Sequence, residues 1–346
     1  MRRFGSAERA LAAIPDLALR GGGRAPKLAD PKAIHSEIKK IKSLGANLLF
    51  SDDQAYPRLL AELSNAPPVL IYRGLLSLLA NPIISIVGAR NASAAACRFA
   101  KDLASDLCLA GATIASGLAR GIDTAAHLGS LQKATIGVIA GGIDVYFPPE
   151  NEQLQERITQ QGLLLSEQPP ATEPRARHFP YRNRIIAGLA AGTVVVEAAP
   201  RSGSLITARL AAEAGRHVMA VPGSPLDPRS RGCNNLIREG ATLIQNAEDV
   251  MEMVQHFDHG ACPAGGSFSK EAGAERRSGV REWDNDEASN RDRQAIYRLL
   301  SITSVSVDEL IRQSDIAPSA LQLVLLELEL AGKIVWHSGG KVSLKN

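Results

Sequence analysis

The feature that most constrains the fold is a series of short apolar runs, rich in β-branched residues, between residues 83 and 257. Each run is separated from the next by a longer segment with helical periodicity. Continuous apolar strands joined by crossover helices are typical of a parallel sheet that is covered on both faces. We therefore predict a doubly wound α/β domain over residues 76–257. Its seven strands are "IISIVG", "ATIAS", "TIGVIA", "LLLSE", "TVVVEA", "HVMAVPG" and "TLI".

Composition divides the rest of the chain into three further regions. Residues 1–75 contain two helical patterns, each preceded by an N-cap candidate, and predict a small helical N-terminal region with a lead-in to the sheet. Residues 258–290 combine Gly, Ala, Ser and mixed charge without apolar periodicity, which is typical of a linker. Residues 291–346 predict three helices followed by a two-stranded hairpin, the order found in a winged-helix domain.

Overall composition excludes several classes of protein. The chain has 346 residues, of which 45% are hydrophobic, so a disordered or fibrous protein is excluded. Its 39 Lys and Arg against 36 Asp and Glu give a net charge of +3, which neither requires nor excludes a nucleic-acid partner. The four cysteines form no C-x-x-C pair, which predicts reduced thiols and no metal site. No stretch of 18 apolar residues occurs, so we expect no membrane span and a cytoplasmic location.

The loops that follow the strands are the expected ligand site, because parallel strands present helix N-termini and backbone N–H groups at their carboxyl ends. "VGARNAS" follows the first strand and offers Gly88 for a close turn and Arg90 as a cation. "SGLARGIDTAAH" follows the second strand and adds Arg120. "EAAPRSGSLITA" follows the fifth strand, and its residues 202–204 begin a helix suited to a phosphate. The G-x-G-x-x-G pattern is absent from the first loop, so we predict no dinucleotide cofactor.

The densest basic signal lies in the window "PRARHFPYRNR", which has no acidic residue. A guanidinium binds phosphate through a rigid fork, and an aromatic ring offers a stacking face to any base. The window therefore indicates a single-stranded nucleic-acid partner, and a solvated basic loop around a core phenylalanine is the alternative. Its cations and rings are Arg175, Arg177, Phe179, Tyr181, Arg182 and Arg184.

Candidate catalytic groups are sparse in this sequence. Glu167 and Glu197 each end a predicted strand, but no nucleophile or orienting base accompanies them. We expect Glu197 to hold an arginine of the basic window instead. His127 follows Asp123 by one helical turn, which favours a helix-surface pair or a buried histidine over a catalytic role. We therefore predict that the protein is not an enzyme.

The motifs, taken in order, resemble the DprA (Smf) family of DNA-processing proteins. The blocks that carry the resemblance extend over most of residues 83–246. The start of the chain, "RFGSAERALAAIP", resembles the second half of the family's sterile-alpha-motif-like or helix-hairpin-helix region. The main blocks are "SIVGARNAS", "SGLARGIDTAAH", "TIGVIAGGIDVYFPPEN", "HFPYRNRIIAGLA" and "VVVEAAPRSGSLITARLAAEAGR".

This resemblance implies an extended Rossmann-like domain that binds single-stranded DNA without sequence preference. It further implies a homodimer that loads RecA recombinase onto incoming strands during natural transformation, with no enzymatic activity and no cofactor. Carried over by position, the DNA-binding residues are Arg90, Arg120, Phe179, Arg182, Asn183, Arg184, Ser202, Gly203 and Ser204.

Two other functions remain open at the level of sequence. A nucleotide-binding or nucleotide-hydrolysing Rossmann enzyme of the lysine-decarboxylase-like type would have a Gly-Gly-x-Gly-Thr block, where this chain has "RSGSLITA". A small-nucleotide sensor coupled to a winged-helix regulator would also combine these two domains. The third helix of the winged-helix region carries Glu327 and Glu329 but no cation. This pattern favours a protein contact over the reading of a DNA duplex.

We predict that DNA binding weakens steeply with salt, because the proposed site offers arginines and few groups that read base edges. On a single strand, log K against log salt should fall with a slope of about −0.7 for each phosphate contact. Fluorescence anisotropy at several salt concentrations measures this slope. A nearly flat dependence would contradict an electrostatic site.

Overall fold

The computed structural model describes residue 4 and residues 7–255, 289–314, 316–337 and 339–345. The predicted linker, 258–290, lies outside the described residues except for its last two positions. The described residues form two compact units. One comprises residues 32–255, and the other combines the N-terminal residues up to 31 with those from 289 onward.

The larger unit is built on a nine-stranded sheet with the strand order β1-β2-β6-β5-β4-β3-β7-β8-β9. Strands β3 to β9 are all parallel, whereas β1 pairs antiparallel with β2, and β2 pairs antiparallel with β6. The strands are β1 (Asn47–Phe50), β2 (Val69–Gly74), β3 (Ile83–Gly88), β4 (Thr113–Ser116), β5 (Thr135–Gly142), β6 (Leu163–Gln168), β7 (Gly192–Val196), β8 (His217–Ala220) and β9 (Thr242–Leu243).

Helices connect these strands. Helix α1 (Ala7–Arg20) belongs to the second unit and is described with it. The others are α2 (Pro31–Ser43), α3 (Arg58–Ala61), α4 (Ala94–Leu109), α5 (Ile122–Ser130), α6 (Glu152–Gln161), α7 (His178–Leu189), α8 (Gly203–Glu213), α9 (Arg231–Arg238) and α10 (Ala247–Gln255).

The seven strands predicted from the sequence are β3 to β9, and the doubly wound parallel sheet is confirmed. Strands β1 and β2 are not among the predicted strands, because the patterns in residues 1–75 favour helices. Both are short apolar runs, and such runs fit a strand or a helix equally well by periodicity alone. The edge of β6 favours the strand conformation, because β2 forms hydrogen bonds with that edge. Strand β1 then pairs with β2.

Residues of β3 alternate between the two faces of the sheet, as a strand requires. Ile84 and Ile86 are buried with residues of α4 and α5 on one face. Ile83 and Val87 are buried on the opposite face with the apolar side of α7. Both faces of β3 are therefore covered, and its continuous apolar run is explained by burial on both sides.

The second unit contains a three-stranded antiparallel sheet in the order β10-β12-β11, together with four helices. The predicted winged-helix arrangement is confirmed. Helix α1 packs against α13, and Leu17 and Ala18 are buried. The remaining elements of this unit are α11 (Asn290–Leu299), β10 (Val305–Ser306), α12 (Val307–Ser314), α13 (Pro318–Leu330), β11 (Ile334–His337) and β12 (Lys341–Leu344).

Arg216 joins the lead-in segment to the parallel sheet. Its side chain is 6% exposed, and its guanidinium donates to the Leu59 carbonyl at 2.8 Å and to the Glu62 carboxylate at 3.1 Å. Truncation of this arginine leaves the Leu59 carbonyl without that donor and removes a buried part of the packing.

We predict that Arg216→Ala lowers the free energy of unfolding by about 2 kcal/mol. Urea denaturation followed by circular dichroism measures the loss. Arg209→Ala is the matched control, because Arg209 forms an exposed i,i+4 pair with Glu213 and should change stability by less than about 0.5 kcal/mol. Equal losses in the two variants would show that the Arg216 contacts add nothing.

Candidate functional site

A cleft opens at the point where the strand order reverses. Strand β3 lies between β4 and β7, so the chain proceeds towards one edge of the sheet from β3 to β6 and towards the other edge from β7 to β9. Ligands of open α/β sheets bind outside the carboxyl ends of the strands at such a switch point. The cleft has a volume of about 800 Å³ and is lined by the loop after β3, the first turns of α7 and the start of α8.

Seven of the nine predicted DNA-binding residues line this cleft. They come from three separate segments that the parallel topology brings to the same edge of the sheet. They are Arg90, Phe179, Arg182, Asn183, Ser202, Gly203 and Ser204.

The other two predicted residues are placed differently. Arg120 lines a small recess beside the cleft with Phe147, and its exposed guanidinium lies 3.5 Å from the Glu150 carboxylate. Arg184 does not line either space. Its side chain is 10% exposed, and its guanidinium donates to the Glu167 carboxylate at 2.5 Å.

Two glycines allow the loops around the cleft to approach one another. A Cβ at Gly88 would collide with the carbonyl oxygen of Val196, so the end of β3 can lie against β7 only without a side chain. Gly121 has a φ of 75° and lies against the carbonyl oxygen of Ala89, which brings the loop after β4 next to Arg90. A side chain would be strained at Gly121 and would also clash.

Phe179 is the centre of a cluster of cations and rings. The Arg90 guanidinium carbon lies 5.5 Å from the centroid of the Phe179 ring, and that of Arg182 lies 6.0 Å from it. The Phe147 ring is tilted by 54° with its centroid 5.6 Å away. Cations at these distances are attracted to an aromatic ring, so the three side chains hold Phe179 at the cleft.

Arg182 lies beneath this cluster and is 7% exposed. Its Nη1 donates to the carbonyls of Gly117, which follows β4, and of Val138 in β5. Burial lowers its pKa to about 10, and this value keeps the guanidinium charged at neutral pH. The nearby Asp123 carboxylate accepts two backbone N–H groups, at 3.1 and 3.4 Å. Burial raises the pKa of Asp123, while Arg182 and the two N–H groups oppose that shift.

The start of α8 supplies the polar end of the cleft. Ser202 is the N-cap, its Oγ accepts the Ser204 N–H at 3.3 Å, and the two hydroxyl oxygens lie 2.7 Å apart. Gly203 between them is exposed and has no Cβ to cover the backbone N–H groups. The partial positive charge of a helix N-terminus favours an anion at this position.

The two candidate catalytic glutamates support protein groups. Glu197 accepts the N–H of Ser93 at 2.8 Å and its hydroxyl at 2.6 Å, so the expectation that it holds an arginine of the basic window is wrong. Glu167 accepts from Arg184. Each carboxylate thus fixes a segment of chain beside the cleft.

His127 is buried rather than on the helix surface, in agreement with one of the two alternatives left open. Its Nδ1 lies 2.8 Å from the Thr135 hydroxyl. Burial, with a smaller contribution from the Arg182 charge, lowers its pKa to about 3, so the imidazole is neutral at physiological pH.

The sequence analysis missed three residues at this edge of the sheet. Arg201 and Arg229 line the cleft, and Phe147 lines the adjoining recess. Arg201 immediately precedes the "SGS" block at the carboxyl end of β7, and that position could have identified it. Arg229 comes from the segment after β8 and is paired with Asp227 at 2.8 Å, and no motif marked it.

The described residues contain neither a metal-binding cluster nor a helix that could span a membrane. No group of three or more His, Cys, Asp or Glu side chains within them is arranged to hold a metal ion. None of their helices combines the length and apolar character that a bilayer crossing requires.

Residues 47–255 match the family described as DNA recombination-mediator protein A, and this match covers more than half of the chain. The chain belongs to this family. Residues 284–340 match the DprA winged helix domain, and residues 1–39 match the DprA-like N-terminal HHH domain. The resemblance inferred from the sequence motifs is confirmed.

Individual members of the family agree with this assignment. DNA processing protein DprA of Streptococcus pneumoniae is 47% identical over 201 residues, which are 58% of this chain and 71% of that protein. Protein Smf of Escherichia coli is 35% identical over 328 residues, which are 91% of this chain and 82% of that protein.

Two solved structures are similar to the described fold. The X-ray structure of S. pneumoniae DprA has a TM-score of 0.61 at 43% identity, and covers 65% of this chain and 78% of that one. The structure of DNA processing protein A from Helicobacter pylori has a TM-score of 0.56 at 29% identity. The match covers 62% of this chain and 97% of the H. pylori chain. The H. pylori structure is described as giving insights into a unique single-stranded DNA binding mode of that protein.

We predict that Arg182→Ala lowers the free energy of unfolding by about 3 kcal/mol, because Asp123 then keeps a buried charge without its nearby cation. Asp123→Asn introduced into that variant should restore part of the loss, with a coupling of about 1–2 kcal/mol in the double-mutant cycle. Urea denaturation of the parent protein, the two single variants and the double variant measures both values. Arg90→Ala is the control and should change stability by about 0.5 kcal/mol or less. Strictly additive losses would contradict the Arg182–Asp123 interaction.

Proposed function

We propose that this chain binds single-stranded DNA along the cleft at the switch point, with Arg90 and Phe179 as its main contacts. The description of the H. pylori relative as a single-stranded DNA-binding protein supports this ligand. The observation that carries the proposal is the Arg90–Phe179 pair, an exposed cation 5.5 Å from a ring that lines the same cleft. A phosphate on the guanidinium places the neighbouring base within reach of the aromatic residues.

The charge of the cleft fits a polyanion. Four arginines line it, and Asp123 is the acidic residue among its described lining. Because Asp123 is buried and lies near Arg182, its effect at the mouth of the cleft is small. The helix N-terminus at Ser202 adds a further site for a phosphate.

Sequence-independent binding is supported by the hydrogen bonds that the polar side chains of the cleft form within the protein. The Asn183 side-chain oxygen accepts from Arg182 at 3.1 Å, and the Ser202 and Ser204 hydroxyls bond to one another. The Asn183 side-chain oxygen and one hydroxyl hydrogen of the serine pair are thus engaged within the protein, which leaves few polar groups for base edges. Phosphate and stacking contacts, which carry little sequence information, therefore dominate the proposed site.

The predicted DNA-binding arginines divide into two roles. Arg90 and Arg120 have exposed side chains and act as direct phosphate contacts. Arg182 and Arg184 are buried, with their guanidinium groups bonded to strand carbonyls and to Glu167. We assign to these two the positioning of Phe179 and of helix α7.

The wider role comes from the resemblance to the family. We propose a cytoplasmic homodimer that holds incoming single strands and loads RecA onto them during natural transformation, without an enzymatic step. The description of the family as a recombination mediator supports this role. The structural tasks of Glu167 and Glu197 favour it over a nucleotide-hydrolysing enzyme.

We predict that Arg90→Ala weakens binding of a labelled single-stranded oligonucleotide while the protein remains folded. A charge-assisted phosphate contact contributes about 1.5–3 kcal/mol, so the Kd should rise by roughly one to two powers of ten. Fluorescence anisotropy at low salt gives the Kd, and circular dichroism confirms folding.

The matched control is Arg157→Ala, which removes the same charge from the exposed face of α6. Its Kd should stay close to that of the parent protein. Parental affinity in Arg90→Ala would contradict the proposed contact. Displacement of the oligonucleotide by an equal concentration of mononucleotide would favour the nucleotide-binding enzyme instead.

A further inference from the structure

The second compact unit contains a basic pocket at the junction of α1, α11 and α13. Its volume is about 290 Å³, and we call it the junction pocket. Arg20, from the last turn of α1, lines it together with Arg298 of α11 and Lys333, which precedes β11. Segments from the two ends of the chain therefore build it together.

Glu327 is the acidic residue among the described lining of the junction pocket. It is 1% exposed, and its two carboxylate oxygens accept from the Arg293 guanidinium at 2.7 and 3.0 Å. This bidentate pair balances the negative charge inside the unit. The three cations Arg20, Arg298 and Lys333 thus leave the pocket with a positive charge.

Tyr297 gives the junction pocket an aromatic surface. The residue lies in α11 and is 46% exposed. Lys333 Nζ lies 5.7 Å from the centroid of the Tyr297 ring. The absence of a side chain at Gly22 leaves room for this ammonium group, because a Cβ there would lie 2.6 Å from Lys333 Nζ. The pocket thus combines cations with an exposed ring, as in the main cleft.

Helix α13 itself is poorly suited to read a DNA duplex. Most of its residues are buried, since α1 packs against it in addition to the core of the winged-helix unit. The side chains it leaves exposed include Gln322 and Glu329 but no cation. Glu327 is buried against Arg293, so only Glu329 remains on the helix surface of the two acids that favoured a protein contact.

We propose that the junction pocket is a second contact for single-stranded nucleic acid, in which Arg20, Arg298 and Lys333 bind phosphates and Tyr297 stacks on a base. Basic residues beside an exposed aromatic ring are the common means of binding a single strand without sequence preference. The proposal rests on the proposed function for its class of ligand. It goes beyond that function because it assigns a DNA contact to the second unit. Helix α1 and the winged helix form this unit together.

Photocrosslinking of the full chain tests this assignment. A single strand that contains 5-iodouracil is irradiated with the protein, and labelled tryptic peptides are identified by mass spectrometry. We expect labelling of residues 294–298, which contain Tyr297, and of residues 178–182, which contain Phe179. The two peptides report on the junction pocket and on the main cleft separately.

The double variant Arg20→Ala/Lys333→Ala leaves both peptides unchanged in sequence. Labelling of residues 294–298 should fall by about tenfold or more in this variant, because at least one charge-assisted contact is lost. Labelling of residues 178–182 should persist. The control is Arg291→Ala/Lys341→Ala, which removes two exposed cations of the same unit from outside the pocket. It should retain both labels.

The outcomes separate the two proposals. Labelling of residues 178–182 alone in the parent protein would overturn the junction pocket and leave the proposed function standing. Labelling of neither peptide would count against both. Undiminished labelling of residues 294–298 in the double variant would overturn the phosphate contacts. Stronger suppression of that label by unlabelled duplex than by unlabelled single strand would overturn the assignment to single strands.

Discussion

The buried guanidinium of Arg182 is the interaction on which the cleft depends. It donates to the carbonyl of Gly117, which follows β4, and to the carbonyl of Val138 in the adjacent parallel strand β5. Its charge balances Asp123, whose carboxylate in turn orders the loop after β4. The same guanidinium lies 6.0 Å from the centroid of Phe179. One side chain therefore links the sheet, a loop and the aromatic residue of the proposed site.

The chemistry of the cleft follows from the position of the switch point. At that point the loops after β3 and β7 diverge, and α7 and α8 border the space between them. A cleft of about 800 Å³ with arginines and one helix N-terminus suits an extended polyanion better than a small neutral ligand. The junction pocket repeats the combination of cation and ring on a smaller scale, from elements that are far apart in the chain.

Several predictions from the sequence depended on local pattern, and those agree with the structure. The seven parallel strands are continuous apolar runs because both faces of the sheet are covered, so their pattern is strong. Helices α11 and α12 of the winged-helix unit have apolar residues at helical spacing among polar ones. Strands β1 and β2 lacked such a signal, because they are short and only the edge of β6 makes them strands. The role expected for Glu197 was wrong because its partner depends on tertiary contacts. Glu197 follows β7, and its partner, Ser93, lies in the loop after β3.

Sequence patterns were enough to establish the class of fold and to predict the edge of the sheet that carries a ligand site, together with the residue types available there. These follow from periodicity, glycine position and charge, all of which are local properties. Which arginines are exposed depends on the folded chain, because burial arises from contacts between distant segments. The tertiary structure separated Arg90 from Arg184, which have the same chemistry in the sequence, and it placed Glu327 inside the winged-helix unit rather than on its surface.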